Sequence, residues 1–97
     1  MNTIVCRLIV SPREIFLGMT DINKALGKVL AKHRTIAKIS QEELADRAGI
    51  HRTYVSQIER GLKSPTLSVL FEISKSLNTT ASILIAEMEQ NIDDLYH

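Results

Sequence analysis

ISQEELADRAGIHRTYVSQIERG, residues 39–61, reads as two short helices and the tight turn between them. Ser40-Gln41-Glu42-Glu43 is a capping box: the Ser40 hydroxyl accepts from the amide of Glu43, whose carboxylate reaches back to the amide of Ser40. The helix it opens ends at Gly49, since glycine enters the left-handed conformation of a helix stop without a Cβ penalty. Ile50 and His51 lead into a second helix, Arg52–Arg60, which Gly61 stops. Leu44, Ala48, Ile50, Val55 and Ile58 supply an apolar seam between the two helices, and the small Ala45 permits their close approach. Arg52, Thr53, Ser56 and Gln57 are thereby left on the opposite face.

Upstream of this unit, Thr20 or Asp21 caps a helix running to about Lys38, with Ile22, Leu26, Val29, Leu30 and His33 or Ile36 on one face. Downstream, Pro65-Thr66 opens a helix from Leu67 to Leu77, with Leu67, Leu70, Ile73 and Leu77 at core spacing. A fifth begins after Thr79 and Thr80 and continues to about Gln90; Ile83 and Leu84 are expected to close the core, leaving Ile85 and Met88 for a partner. The expected fold is therefore all-α, a compact five-helix domain over residues 20–90, with an extension at 1–19 and an acidic tail at 91–97. The extension has a different texture. Thr3 to Val10 is rich in β-branched residues, Ser11-Pro12 makes a turn, and Ile15-Phe16-Leu17 is a second apolar run ending at Gly18. One or two short strands are expected there, residues 3–10 pairing with 14–17 or with the same segment of a second chain. Met19 stands directly before the cap and is a candidate alternative translation start.

Ninety-seven residues make one domain, and 44% hydrophobic content allows a real core. Aromatics are only 4% and Trp is absent, so that core is aliphatic. The single Cys6 cannot form an internal disulfide, which fits a reduced cytoplasmic setting. Ile4 to Val10 is apolar but short, and Arg7 interrupts it, so no membrane partner is expected. A net charge of +1 argues against indiscriminate coating of nucleic acid, but its distribution is uneven. Residues 21–63 hold nine Lys or Arg against five Asp or Glu, and the rest of the chain three against six. His33, His51 and His97 have no ligand-like spacing with Cys6, so no metal is expected. No phosphate-cradling glycine loop and no nucleophile with a base stands out, so neither an enzyme nor a cofactor is expected.

Two short helices joined by a Gly-containing turn form a recurring DNA-reading unit. The first helix crosses the phosphate backbone while the N-terminal part of the second enters the major groove. Arg52 suits guanine O6 and N7, Gln57 suits adenine N6 and N7, and Thr53 can offer a methyl to thymine. The run from Ile39 to Gly61 followed by Ser64-Pro65-Thr66-Leu67 resembles the XRE family of phage-repressor-like helix-turn-helix regulators, and the likeness covers roughly residues 22–87.

That resemblance implies a five-helix, lambda-repressor-like domain in which Arg52, Thr53, Ser56 and Gln57 read bases. It implies a phosphate contact for Gln41, which also props the recognition helix, and a backbone clamp at Arg60, Lys63 and Ser64. Tyr54 either packs or reaches phosphate through its hydroxyl, and His51 either caps the helix or donates to phosphate. Arg34 and Glu59 match a buried salt bridge of the family, and Ile85 and Met88 fall where its members dimerise. The plain alternatives are solvated charges at Arg52, Arg60, Arg34 and Glu59, a small surface residue at Ser56, and monomer core at Ile85 and Met88. The expected function is sequence-specific binding of double-stranded DNA by a homodimeric transcription regulator on a palindromic operator. RNA polymerase is a candidate further partner, and a restriction-modification controller or a phage or plasmid repressor is the narrower reading. An antitoxin-like protein-interaction module is the alternative.

Overall fold

The computed structural model describes the backbone of residues 12–96 and the side chains of residues 22–92. Five helices follow one another: α1 (Pro12–Ala37), α2 (Gln41–Ala48), α3 (Arg52–Glu59), α4 (Leu67–Ser76) and α5 (Ala81–Tyr96). There is no strand among the described residues. Helix α1 packs on both α3 and α5, α2 packs on α3 and α4, and α4 meets α5. Every helix contributes to one aliphatic core, in which Leu30, Leu44, Val55, Ile58, Ile73 and Leu84 are fully buried.

The N-terminal expectation needs correction. Residues 14–17 lie inside α1 instead of forming a strand, so they are not the pairing partner expected for residues 3–10, which themselves lie outside the described residues. Pro12, read as part of a turn, occupies the first helical position, where its missing N–H costs nothing and its fixed φ suits the helix. Once the chain is helical at Pro12, a helix satisfies its backbone internally, whereas a lone strand has no sheet edge to join. At the other end α5 runs to Tyr96, six residues past the expected stop at Gln90, because Ala81 to Tyr96 contains no glycine or proline to end it.

Periodicity also misplaced some apolar side chains. His33 continues the inward face of α1, and Ile36 and Ile22 are exposed. Leu67, the first residue of α4, is exposed too, while Leu70, Ile73 and Leu77 are buried. In α5, Ala81 and Leu84 are buried in the core; Ile83 is 47% exposed, and Ile85 and Met88 are half-buried against the chain's own core.

Two expected caps fail: Thr20 and Asp21 lie inside α1, which starts at Pro12, and the Glu43 carboxylate pairs with Arg47 one turn on instead of reaching back to the Ser40 amide. The other caps follow the sequence. Ser40 Oγ accepts from Glu43 N at 3.0 Å, Thr66 Oγ1 from Val69 N at 3.2 Å, and Thr80 Oγ1 from Ile83 N at 3.3 Å. Four helices end in the same six-to-one turn, closed by Ile39 N on Arg34 O, Ile50 N on Ala45 O, Leu62 N on Gln57 O and Thr79 N on Ser74 O. The left-handed residue in each is Lys38, Gly49, Gly61 and Asn78, with φ of 61°, 71°, 77° and 56°. Glycine and asparagine take that conformation readily, and Lys38 alone is ill-suited to it. Lys38→Gly should therefore raise stability by about 0.5–1 kcal/mol, the relief of left-handed strain being partly offset by the freer unfolded chain. A urea midpoint that falls instead would show the strain to be absent.

Candidate nucleic-acid interface

The site is built on α3. His51 caps it: the backbone is extended there, and Nδ1 accepts from Thr53 N at 3.3 Å, which in the neutral ring puts the proton on Nε2. Val55 and Ile58 anchor one face in the core. The other carries Arg52 and Thr53, both exposed, and one turn on Ser56 and Gln57, both half-buried. These four residues thus share a surface. Tyr54 is half-buried against the core, and its hydroxyl donates to the Ser64 carbonyl at 3.4 Å, tying α3 to the loop that follows. Arg60, Lys63 and Ser64 are exposed at the C-terminal end of α3 and in that loop, and Arg60 Nε donates to Ser56 O at 3.4 Å.

The end of α3 is held by a polar network. Arg34 Nε and Nη2 donate to the two carboxylate oxygens of Glu59 at 2.7 and 3.1 Å, a forked pair that fixes orientation as well as distance. Arg34 Nη1 donates to the Ile39 carbonyl at 2.9 Å, satisfying the backbone where α1 turns into α2. Gln41 Nε2, at the start of α2, donates to Glu59 Oε1 at 3.1 Å. The Glu59 side chain is only 7% exposed. Hydrogen bonding to Glu59 raises the Arg34 pKa, against the opposing effect of burial, so the guanidinium stays charged at any pH at which the protein folds. Three helices, α1, α2 and α3, meet on this one carboxylate.

A second polar cluster joins α1 to α5. Lys32 Nζ donates to Glu87 Oε2 at 3.3 Å, and His33 Nε2 lies 3.1 Å from Glu87 Oε1. Burial pushes the Glu87 pKa up, but the hydrogen bonds from His33 and Lys32 together outweigh it and hold the carboxyl below its ordinary value. Sequence reasoning missed this cluster, whose members are 54 and 55 residues apart with no spacing to betray them. Among the described residues no group of three or more His, Cys, Asp or Glu side chains is placed to hold a metal ion, and no helix is long and apolar enough to cross a membrane.

The helix-turn-helix family model HTH_3 matches residues 30–84, from the second half of α1 into α5. The chain belongs to the helix-turn-helix family. Within that family it is similar to the control protein C.SmaI of Serratia marcescens, 40% identical over 65 residues that cover 67% of this chain and 77% of that protein. It is equally 40% identical, over 58 residues, to an HTH-type transcriptional regulator of Mycobacterium tuberculosis; that match covers 60% of this chain but only 41% of the regulator's length. Among solved structures, the restriction-modification controller protein C.Esp1396I, crystallised as a tetramer with its natural 35 base-pair operator, superposes with a TM-score of 0.66 at 28% identity. The superposition covers 73% of this chain and 93% of that one. The family's short-helix, glycine-turn, short-helix unit is here α2, the turn at Gly49 and α3.

Proposed function

We propose that this chain is a sequence-specific DNA-binding transcriptional regulator that acts as a homodimer on a palindromic operator. The observation that carries the reading is the polar face of α3, held out from the core by Val55 and Ile58 and fixed from behind by Arg34, Gln41 and Glu59. In the major groove Arg52 donates two parallel hydrogen bonds to a guanine, Gln57 pairs with an adenine, and Thr53 and Ser56 complete the readout. Gln41 spends one amide N–H on Glu59 and keeps the second for a phosphate oxygen. Arg60, Lys63 and Ser64 grip the backbone beyond the recognition helix, with His51 and Tyr54 nearby to do the same. The second copy docks through α5 beside Ile85 and Met88. Regulation is by occupancy of the site, through occlusion or recruitment of RNA polymerase, with no covalent chemistry, and the setting is the cytoplasm. Among regulators, a restriction-modification controller is the narrower reading, supported by 40% identity to C.SmaI.

Selection of bound sequences from a random DNA pool tests this directly. Selected sites should carry two inverted half-sites with centres about one DNA turn apart, roughly 34 Å. On the selected operator, Arg52→Ala and Gln57→Ala should each lose about 1–3 kcal/mol and change base preference. Lys63→Ala should weaken all sequences alike and flatten the salt dependence. Full affinity and unchanged preference in the Arg52 and Gln57 variants would put the reading face elsewhere.

A further inference from the structure

Glycine is the poorest helix former after proline, yet Gly27 lies buried in the middle of α1. Its surroundings give the reason. A Cβ at Gly27 would stand 2.5 Å from the carbonyl oxygens of both Ile58 and Glu59, and 2.9 Å from the carbonyl carbon of Glu59. These are the last two residues of α3, so α1 and the end of the recognition helix touch backbone to backbone. Neither carbonyl can swing aside as a side chain could. The Ile58 side chain is fully buried in the core, and the Glu59 carboxylate is clamped by Arg34 and Gln41. One turn before Gly27, Lys24 also lies close on Gly61: a Cβ at Gly61 would meet Lys24 Cγ at 2.7 Å and Cα at 3.0 Å. Lys24, Gly27 and Arg34 thus form one seat along α1 for residues 58–61.

We infer that Gly27 is a positioning residue for base recognition: by admitting the Ile58 and Glu59 carbonyls against α1, it sets how far the Arg52, Thr53, Ser56 and Gln57 face stands out from the domain. The inference rests on the proposed DNA-reading role of α3. A methyl group at residue 27 restores ordinary contact only if α3 and α1 separate by about 1 Å. Hydrogen bonds to base edges tolerate only a few tenths of an ångström about their optimum, so a rigid displacement of that size spoils readout while leaving contacts to flexible Lys and Arg ends largely intact.

The test compares Gly27→Ala with Val29→Ala, a buried truncation on the same helix, both carried in a Lys38→Gly background that relieves the left-handed backbone at the end of α1. Affinity is measured for the selected operator and for a random-sequence duplex of equal length at the same salt. Loss of folded protein weakens both duplexes in proportion, whereas a displaced reading face weakens the operator alone. The operator-to-random ratio should fall about tenfold or more in Gly27→Ala and stay within about twofold in Val29→Ala, a tenfold loss being the size of one mismatched base pair. An unchanged ratio in Gly27→Ala overturns the inference. Should Gly27→Ala not fold alone, the ratio is read at DNA concentrations that drive folding by mass action, where the same two outcomes apply. A wild-type protein that prefers no sequence rejects the DNA-reading role of α3 itself; a wild type with a clear preference and a Gly27→Ala variant that keeps it rejects only the role of Gly27.

Discussion

Arg34→Met should lower folding stability by about 3 kcal/mol, near the lower end of the range for stripping one partner from a buried ion pair. The substitution keeps the aliphatic bulk of the side chain and removes both hydrogen bonds to Glu59 and the one to the Ile39 carbonyl. What remains is a carboxylate that is 7% exposed and has Gln41 as its one hydrogen-bonding side chain. The reciprocal change is expected to be milder. Glu59→Gln leaves the charge on Arg34, which at 20% side-chain exposure is nearer water and still donates to Ile39 O. Its cost should be roughly half as large, since the stranded group is better solvated and the new amide can still accept a hydrogen bond. Denaturant melts of the two variants and of the double variant measure the coupling. Equal costs, or a loss under about 1 kcal/mol for Arg34→Met, would place the pair among ordinary surface charges. Breaking the pair also frees the end of α3, so the Arg34 variant should lose operator preference even under conditions where it is folded.

Leu84→Ala should cost a comparable amount, about 2–5 kcal/mol, through a different cause. Leu84 has no exposed surface and is the one described residue of α5 buried to that degree, at the helix that packs along α1. Its truncation loses transfer free energy and leaves a cavity within the aliphatic core, which cannot fully collapse without moving a helix. The neighbouring Ile83→Ala, at a site 47% exposed, should cost less than about 1 kcal/mol. Thermal or denaturant unfolding of the pair checks this, and similar losses at both positions would contradict the orientation of α5. Unlike Arg34→Met, Leu84→Ala should leave base preference within each half-site unchanged in the folded fraction, because α5 packs on α1 and α4 and carries none of the proposed base-reading residues.

What the sequence by itself determined was local. The α2–turn–α3 unit, its caps at Ser40 and His51, its stops at Gly49 and Gly61, and the division of α3 into a buried and a polar face all follow from residues within five positions of one another. Caps and left-handed stops are set by side chain–backbone contacts of short range, and two short helices leave few ways to bury their apolar seam. Long-range contacts decided the rest. Leu67, Ile36 and Ile83 have the right spacing for a core that the neighbouring helices do not reach, while His33 turns inward because Glu87 waits on α5. Residues 14–17 read as a strand by composition but lie in a helix, since a strand needs a partner that no other described segment offers. The pairing of Arg34 with Glu59 was legible through resemblance to a family, because nothing in the spacing joins residues 25 apart. Gly27 shows the same division: the sequence announces a weak point in a helix, and only the packing of α1 on α3 says that two backbone carbonyls need the space.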